Sequence, residues 1–328
     1  MSGTQRQLDS ASAIPARWHV ILAFALVYIF WGSTYLAIDV AVTQVPPALM
    51  AGTRFLIAGP LMLAWCTFRK KRVKIGRHEA IRLAVIGLLL LTCSNVVLAW
   101  AEQWVPSGLA SLMVSVTPLW LLVLETWVFR GEHRVSGRAL AGLGLGVFGI
   151  VVLLWPELRH SGEIGRAQLF GSLALLGASF SWALGSVCSK QWKMQVDPFT
   201  ATGWEMTFAG LANILIGVAF GEQHRAVWSA RGMGAILYLV IFGSWVGFTA
   251  YIWLLKHVPT PKVATYAYVN PVVAVFLGWL VLREQVTGYI LAGTIVIVAA
   301  VATVTGAELH AREPAQESRL PAVESTGD

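Results

Sequence analysis

Two ionisable residues stand inside long apolar runs. Arg54 follows Pro47 by seven residues, and Glu205 follows Pro198 by the same interval. If each proline opens a membrane helix, both charges lie ~11 Å along it at ~1.5 Å per residue. In a hydrocarbon core ~30 Å thick they come within ~5 Å of the midplane, on opposite sides of it. Charges at that depth are costly and mark function or pairing. Extended side chains could meet there if the two helices approach. The pair would then clamp a substrate carboxylate or gate a pathway, with Glu205 as the protonatable member, or lock the chain as a structural ion pair.

Pro118 and Pro271 form a second matched pair. Each frees a carbonyl one turn earlier and bends its helix. At membrane depth a freed carbonyl needs a protein partner or a watery cavity. Thr117 and Asn270 directly precede the two prolines. Pro118 and Pro271 are therefore read as hinges of bent helices lining a cavity, against bends that serve packing alone. Trp31 and Trp182 sit well inside apolar runs, away from the headgroup level where Trp is usual. Trp100, Trp120, Trp204, Trp245, Tyr266 and Tyr268 extend the aromatic set, although a single buried Trp is more often packing than ligand contact. Asn95 is polar in an apolar run and could reach a substrate or bond a neighbouring helix. The candidate substrate-binding residues are Trp31, Arg54, Asn95, Trp120, Trp182, Glu205, Trp245, Tyr266 and Asn270. Glu102 reads as facing the outer mouth of the cavity or as merely capping the bundle in water, and Glu125 as a local surface partner of Arg130.

The elements that must position these residues are set by composition. The chain has 328 residues, 56% hydrophobic and 12% charged, with mean hydropathy +0.66. Soluble domains carry about 25% charged residues, so lipid is the solvent for most of this chain. Spans of about 20 apolar residues fall near 18–41, 46–68, 80–101, 107–129, 137–155, 169–189, 198–220, 233–255, 263–282 and 288–305. The expected fold is an all-α polytopic membrane protein with ten transmembrane helices. The net charge of +7 does not point to nucleic acid, because the basic residues sit in short loops. One set of alternate loops holds Arg69, Lys70, Lys71, Arg72, Lys74, Arg77, Arg82, Arg130, Arg134, Arg138, Lys190, Lys193, Lys256 and Lys262; the other holds only Arg159, Arg166, Arg225, Arg231 and Arg283. The positive-inside rule places the first set, and both termini, in the cytoplasm. Cys66, Cys93 and Cys188 lie in apolar runs, with no metal or disulfide spacing. No phosphate-binding loop, zinc-protease motif or nucleophile elbow is present, which disfavours an ATP-driven pump and an enzyme. No cofactor is expected.

The chain is also written twice. Trp31, Gln44, Val45, Pro47, Gly52, Ala58 and Gly59 recur as Trp182, Gln195, Val196, Pro198, Gly203, Ala209 and Gly210; Val135 to Gly142 later matches Val286 to Gly293. Units 18–155 and 169–306 are read as two five-helix repeats, joined by a linker at 156–168 and flanked by disordered cytoplasmic tails at 1–17 and 307–328. Five helices is an odd number, so the second copy must enter the membrane inverted. Loop charges swing the required way at every matched pair. Inverted repeats place a solute site between them near the midplane, which points to a carrier of a small molecule. Gly142/Gly146 and Gly243/Gly247 have the spacing that lets helices pack closely, either within the bundle or between the protomers of a homodimer.

Phe30-Trp31-Gly32-Ser33, Arg54-Phe55, Pro106 to Leu112, Thr117 to Trp120, Tyr268-Val269-Asn270-Pro271 and Arg283 to Gly288 together resemble the drug/metabolite transporter superfamily, in its ten-helix EamA-type branch. That resemblance implies inner-membrane transport, most often export, of amino acids, metabolites or drug-like compounds. The carboxylates make protons a candidate coupling partner, with the solute's own gradient as the alternative energy source. The rival readings are a passive facilitator, which would show counterflow without accumulation, and a membrane sensor, which would bind without flux.

Overall fold

The computed structural model describes residues 17–124, 137–159, 163–192, 194–258, 263 and 265–317. Among these residues every regular element is helical. The α-helices are α1 (Arg17–Val42), α2 (Pro47–Phe68), α3 (Arg77–Gly87), α4 (Asn95–Ala101), α5 (Ser107–Val114), α6 (Thr117–Val123), α7 (Gly137–Arg159), α8 (Glu163–Gln191), α9 (Pro198–Ala219), α10 (Ala230–Tyr238), α11 (Gly247–His257), α12 (Tyr266–Leu277) and α13 (Gly288–Glu317). Wider π-turns at Leu88–Ser94 and Leu239–Val246 fuse α3 to α4 and α10 to α11; a third, Gly278–Leu282, extends α12. Among the described residues seven helices are long and apolar enough to cross a membrane, and Ser107–Val123 and Tyr266–Leu282 are shorter apolar helices. Large apolar side chains such as Ile21, Leu61, Phe148, Leu215 and Ile295 lie exposed on the outer faces, as lipid contact requires.

Two helix pairs make the most extensive contacts, α2 with α9 and α7 with α13. Small residues allow both. A methyl group on Gly52 would meet Ile214, one on Gly59 would meet Thr207 and the Gly203 carbonyl, and one on Gly210 would meet the backbone of Leu56, all inside 3 Å. Gly142, Gly149 and Gly293 do the same for α7 against α13. The four glycines singled out for close packing all face their own chain: Gly142 meets Val304, Gly146 meets Leu119, Gly243 meets Arg54 and Thr34, and Gly247 meets Trp31.

The proline-bearing helices differ from each other. Helix α5 ends at Val114 and α6 restarts at Thr117, with Pro118 in its first turn. Pro118 cannot bond the Val114 carbonyl; the Thr117 hydroxyl donates to that carbonyl instead, at 2.7 Å. Pro271 lies inside α12, which continues through it. The residues beyond Leu124 as far as Ser136, including Glu125, Arg130 and Arg134, lie outside the described residues, as do 1–16, Lys193, Pro261, Lys262 and 318–328. Helix α13 runs on past the expected boundary at Gly306 to Glu317. Ala307, Glu308, Leu309, Ala311 and Arg312 are good helix formers that continue it.

Candidate functional site

The π-turns shape the interior. A π-turn leaves carbonyls poorly placed for the regular ladder, and such turns recur at functional sites. Here side chains engage those carbonyls: Asn95 Nδ2 donates to Leu90 at 3.0 Å, Ser181 to Leu89 at 2.8 Å, Asn213 to Leu91 at 3.2 Å and Trp31 Nε1 to Gly243 at 3.1 Å. Asn95 therefore faces the interior yet spends its amide donor on its own helix.

These elements enclose a cavity of about 650 Å³, within the size range of small-molecule sites. Its walls come from α1, α2, α4, α5, α6, α8, α11, α12, α13 and two of the π-turns. One wall is aromatic. Trp31 meets Tyr266 edge-on at 5.2 Å between ring centres, Tyr251 at 5.0 Å and Phe248 at 5.3 Å; Tyr251 meets Tyr266 edge-on at 5.8 Å. Trp182, Tyr35 and Phe55 complete the aromatic lining.

Beside this wall is a cation: Trp31 bonds the Gly243 carbonyl, and a methyl group on Gly243 would meet the Arg54 guanidinium. Arg54 is 5% exposed and lines the cavity. Its Nε donates to Ser244 Oγ at 3.0 Å, and its guanidinium lies over the Phe55 ring at 4.8 Å. Among the described residues the one ion pair is Lys71 with Asp197, at 2.9 Å, so no carboxylate neutralises Arg54. Asn270 adds a buried carbonyl oxygen, Oδ1, with no hydrogen-bond partner among the described residues. Ser94, Ser111, Ser115, Thr117 and Ser186 supply hydroxyls at the wall.

The sequence-derived candidates divide. Trp31, Arg54, Asn95, Trp182, Tyr266 and Asn270 line the cavity together with Pro118 and Pro271. Trp120, Glu205 and Trp245 do not. Trp120 Nε1 donates to Ser179 Oγ at 3.0 Å and packs edge-on against Phe180. Trp245 Nε1 donates to the Ala58 carbonyl at 3.2 Å. Glu205 lies where α9 crosses α3: a methyl group on Gly87 would come within 2.5 Å of the Glu205 backbone oxygen. Arg54 and Glu205 are not paired, because the faces of α2 and α9 that meet carry glycines. At ~100° per residue, a side chain two positions beyond Gly52 or Gly203 points away from that contact. Trp100 and Trp104 pack on each other at 4.9 Å and are 40% and 44% exposed, as interfacial tryptophans are.

Tyr35, Tyr251, Phe248 and the serines of the wall escaped the sequence reading. Tyr35 stands four residues after Trp31, on the same helix face, and could have been found by that spacing. Tyr251 and Phe248 carry no such local signal.

The sequence model of the EamA-like transporter family matches this chain twice, at residues 18–155 and 169–306. The chain belongs to the EamA-like transporter family. It is a membrane transporter. The inner membrane transporter YedA of Escherichia coli K12, described as uncharacterized, is 38% identical over 258 residues, 78% of this chain and 80% of that protein. The uncharacterized transporter YoaV of Bacillus subtilis 168 is 25% identical over 278 residues, 85% of this chain and 94% of its own. The chloroplastic WAT1-related protein At3g02690 of Arabidopsis thaliana is 28% identical over 291 residues, 87% of this chain and 68% of that one. A crystal structure at 21% identity superposes with a TM-score of 0.62, covering 89% of this EamA-like transporter and 98% of the matched chain; that likeness concerns the fold.

Proposed function

We propose that this transporter exports small organic solutes bearing an aromatic body and a carboxylate, by alternating access between two inverted five-helix repeats. The observation that carries the reading is Arg54, a cation without a carboxylate partner among the described residues, in the wall of the same cavity as Trp31, Tyr251 and Tyr266. An unneutralised guanidinium at membrane depth is costly, and a carboxylate matches its fork of donors. The aromatic wall takes the apolar part of the solute. Counting α9 with the seven long helices and the two shorter ones gives the ten traverses this reading needs, and the most extensive packing joins helices at matched repeat positions, α2 to α9 and α7 to α13. The π-turns starting at Leu88 and Leu239 also fall at matched positions.

The cavity wall extends to Lys190, Leu255 and Thr305, near the helix ends that the charge pattern assigns to the cytoplasm. Loading from that side supports export. The test is flux in proteoliposomes with phenylacetate, aromatic amino acids and their amides. Saturable flux favouring the carboxylates is expected; flux no greater than in empty vesicles across the whole panel would refute the carrier.

A further inference from the structure

The end of the molecule opposite Lys190 holds an acidic arrangement that the cavity does not use. Glu284 reaches across 177 residues of chain to the start of α5. One carboxylate oxygen accepts from the Ser107 backbone and hydroxyl, both at 2.7 Å, and the other accepts from the Gly108 backbone at 3.1 Å. This ties the end of the α12 span to the first turn of α5. Glu102 sits beside this tie, one residue past α4. It is 4% exposed, so it does not cap the bundle in water as one of the two sequence readings has it, and neither of its carboxylate oxygens has a hydrogen-bond partner among the described residues.

We propose that Glu102 is a proton-binding site under the outer closure of the carrier, occupied by a proton while Glu284 holds the start of α5. A buried carboxylate without donors or a counter-charge is strongly disfavoured against its neutral acid. The groups that act on Glu102 add to this. Asp39 of α1 and Glu284 beyond α12 act on it as like charges, Glu102 in turn acts on Tyr35 of α1, and Arg231 of α10 acts on Asp39. Burial first, and then Asp39 and Glu284, hold the Glu102 carboxyl well above the ordinary range. Among the described residues no three acidic, histidine or cysteine side chains are placed to hold a metal ion, so the ligand is a proton. Opening the Glu284 contact admits water, and Glu102 then ionises. Acid on the outer side therefore favours the closed form, in which the cavity faces the cytoplasm. The inside–outside assignment rests on the carrier reading; the proton site itself does not.

The test compares infrared spectra of the full chain in lipid nanodiscs, wild type against Glu102→Gln. At neutral pH the wild type should show the carbonyl stretch of a protonated carboxylic acid that the variant lacks. In Glu284→Gln that band should be lost at a lower pH than in wild type, since a like charge and the closure are both removed. Identical carboxylic-acid bands in wild type and Glu102→Gln would overturn the proposal. Should Glu102→Gln fail to fold, wild-type protein is treated with dicyclohexylcarbodiimide, which modifies protonated buried carboxyls, and mapped by mass spectrometry. Label on Glu102 at neutral pH that disappears at alkaline pH is expected; an unmodified Glu102 where other carboxyls are labelled overturns the site. Neither measurement uses a transported solute, so the proton site and the carrier reading can fail separately.

Discussion

Replacing Arg54 with glutamine separates a substrate-binding role from a structural one. The guanidinium lines the cavity and is held by a single hydrogen bond, to Ser244. A hydrogen bond to a charged group contributes about 1.5–3 kcal/mol. At about 1.4 kcal/mol per factor of ten, wild-type protein should bind phenylacetate about ten to a hundred times more tightly than phenylacetamide. Isothermal titration of both compounds into wild type and Arg54→Gln in nanodiscs forms a double-mutant cycle. The variant should lose the preference for the acid and keep its affinity for the amide, which rests on the aromatic wall. Stability gives a second readout. Breaking a buried ion pair costs about 3–5 kcal/mol, but among the described residues Arg54 has no acidic partner, so its removal should cost no more than the Ser244 bond, about 1.5–3 kcal/mol, offset by relief of a buried charge. A retained preference for the acid, or a sharp loss of stability, would refute the assignment.

Other outcomes follow from packing and capping. Gly87→Ala would drive a methyl group into the Glu205 backbone, and overpacking of this kind costs about 1–3 kcal/mol; Gly144→Ala, with open space around it, should not lower the melting temperature. Glu222 is buried and accepts from the Leu49 amide at 2.8 Å and the Ala48 amide at 3.4 Å. Glu222→Ala leaves buried donors at the start of α2 unpaired and should cost about 1–3 kcal/mol in thermal or denaturant unfolding, whereas Glu222→Gln keeps an acceptor and should cost less. The Lys71–Asp197 pair is partly exposed on both sides, so Lys71→Met should cost under about 1 kcal/mol, and less at high salt.

Much of the site was legible because membrane depth follows from counting residues along a helix. Counting placed Arg54 and Glu205 near mid-bilayer, and the apolar runs placed Trp31, Asn270 and the two hinge prolines inside their helices. Azimuth is another matter. Arg54 and Glu205 hold the same repeat position but do not meet, and the deciding residues were the glycines two positions before each. Glu284 and Glu222 secure helix starts 177 and 174 residues away, contacts that no local pattern announces.

What the linear order of residues settled by itself was solvent and axis: apolar runs without charges must lie in lipid as helices, because backbone groups there can be satisfied only within the helix. Which faces then meet was decided in three dimensions. Close approach at Gly52, Gly59, Gly203 and Gly210 fixes how α2 and α9 are rotated. That rotation turns Arg54 into the cavity, while Glu205 comes to lie against α3 and outside it. Such packing depends on the shapes of two surfaces at once, and a one-dimensional pattern holds each surface only separately.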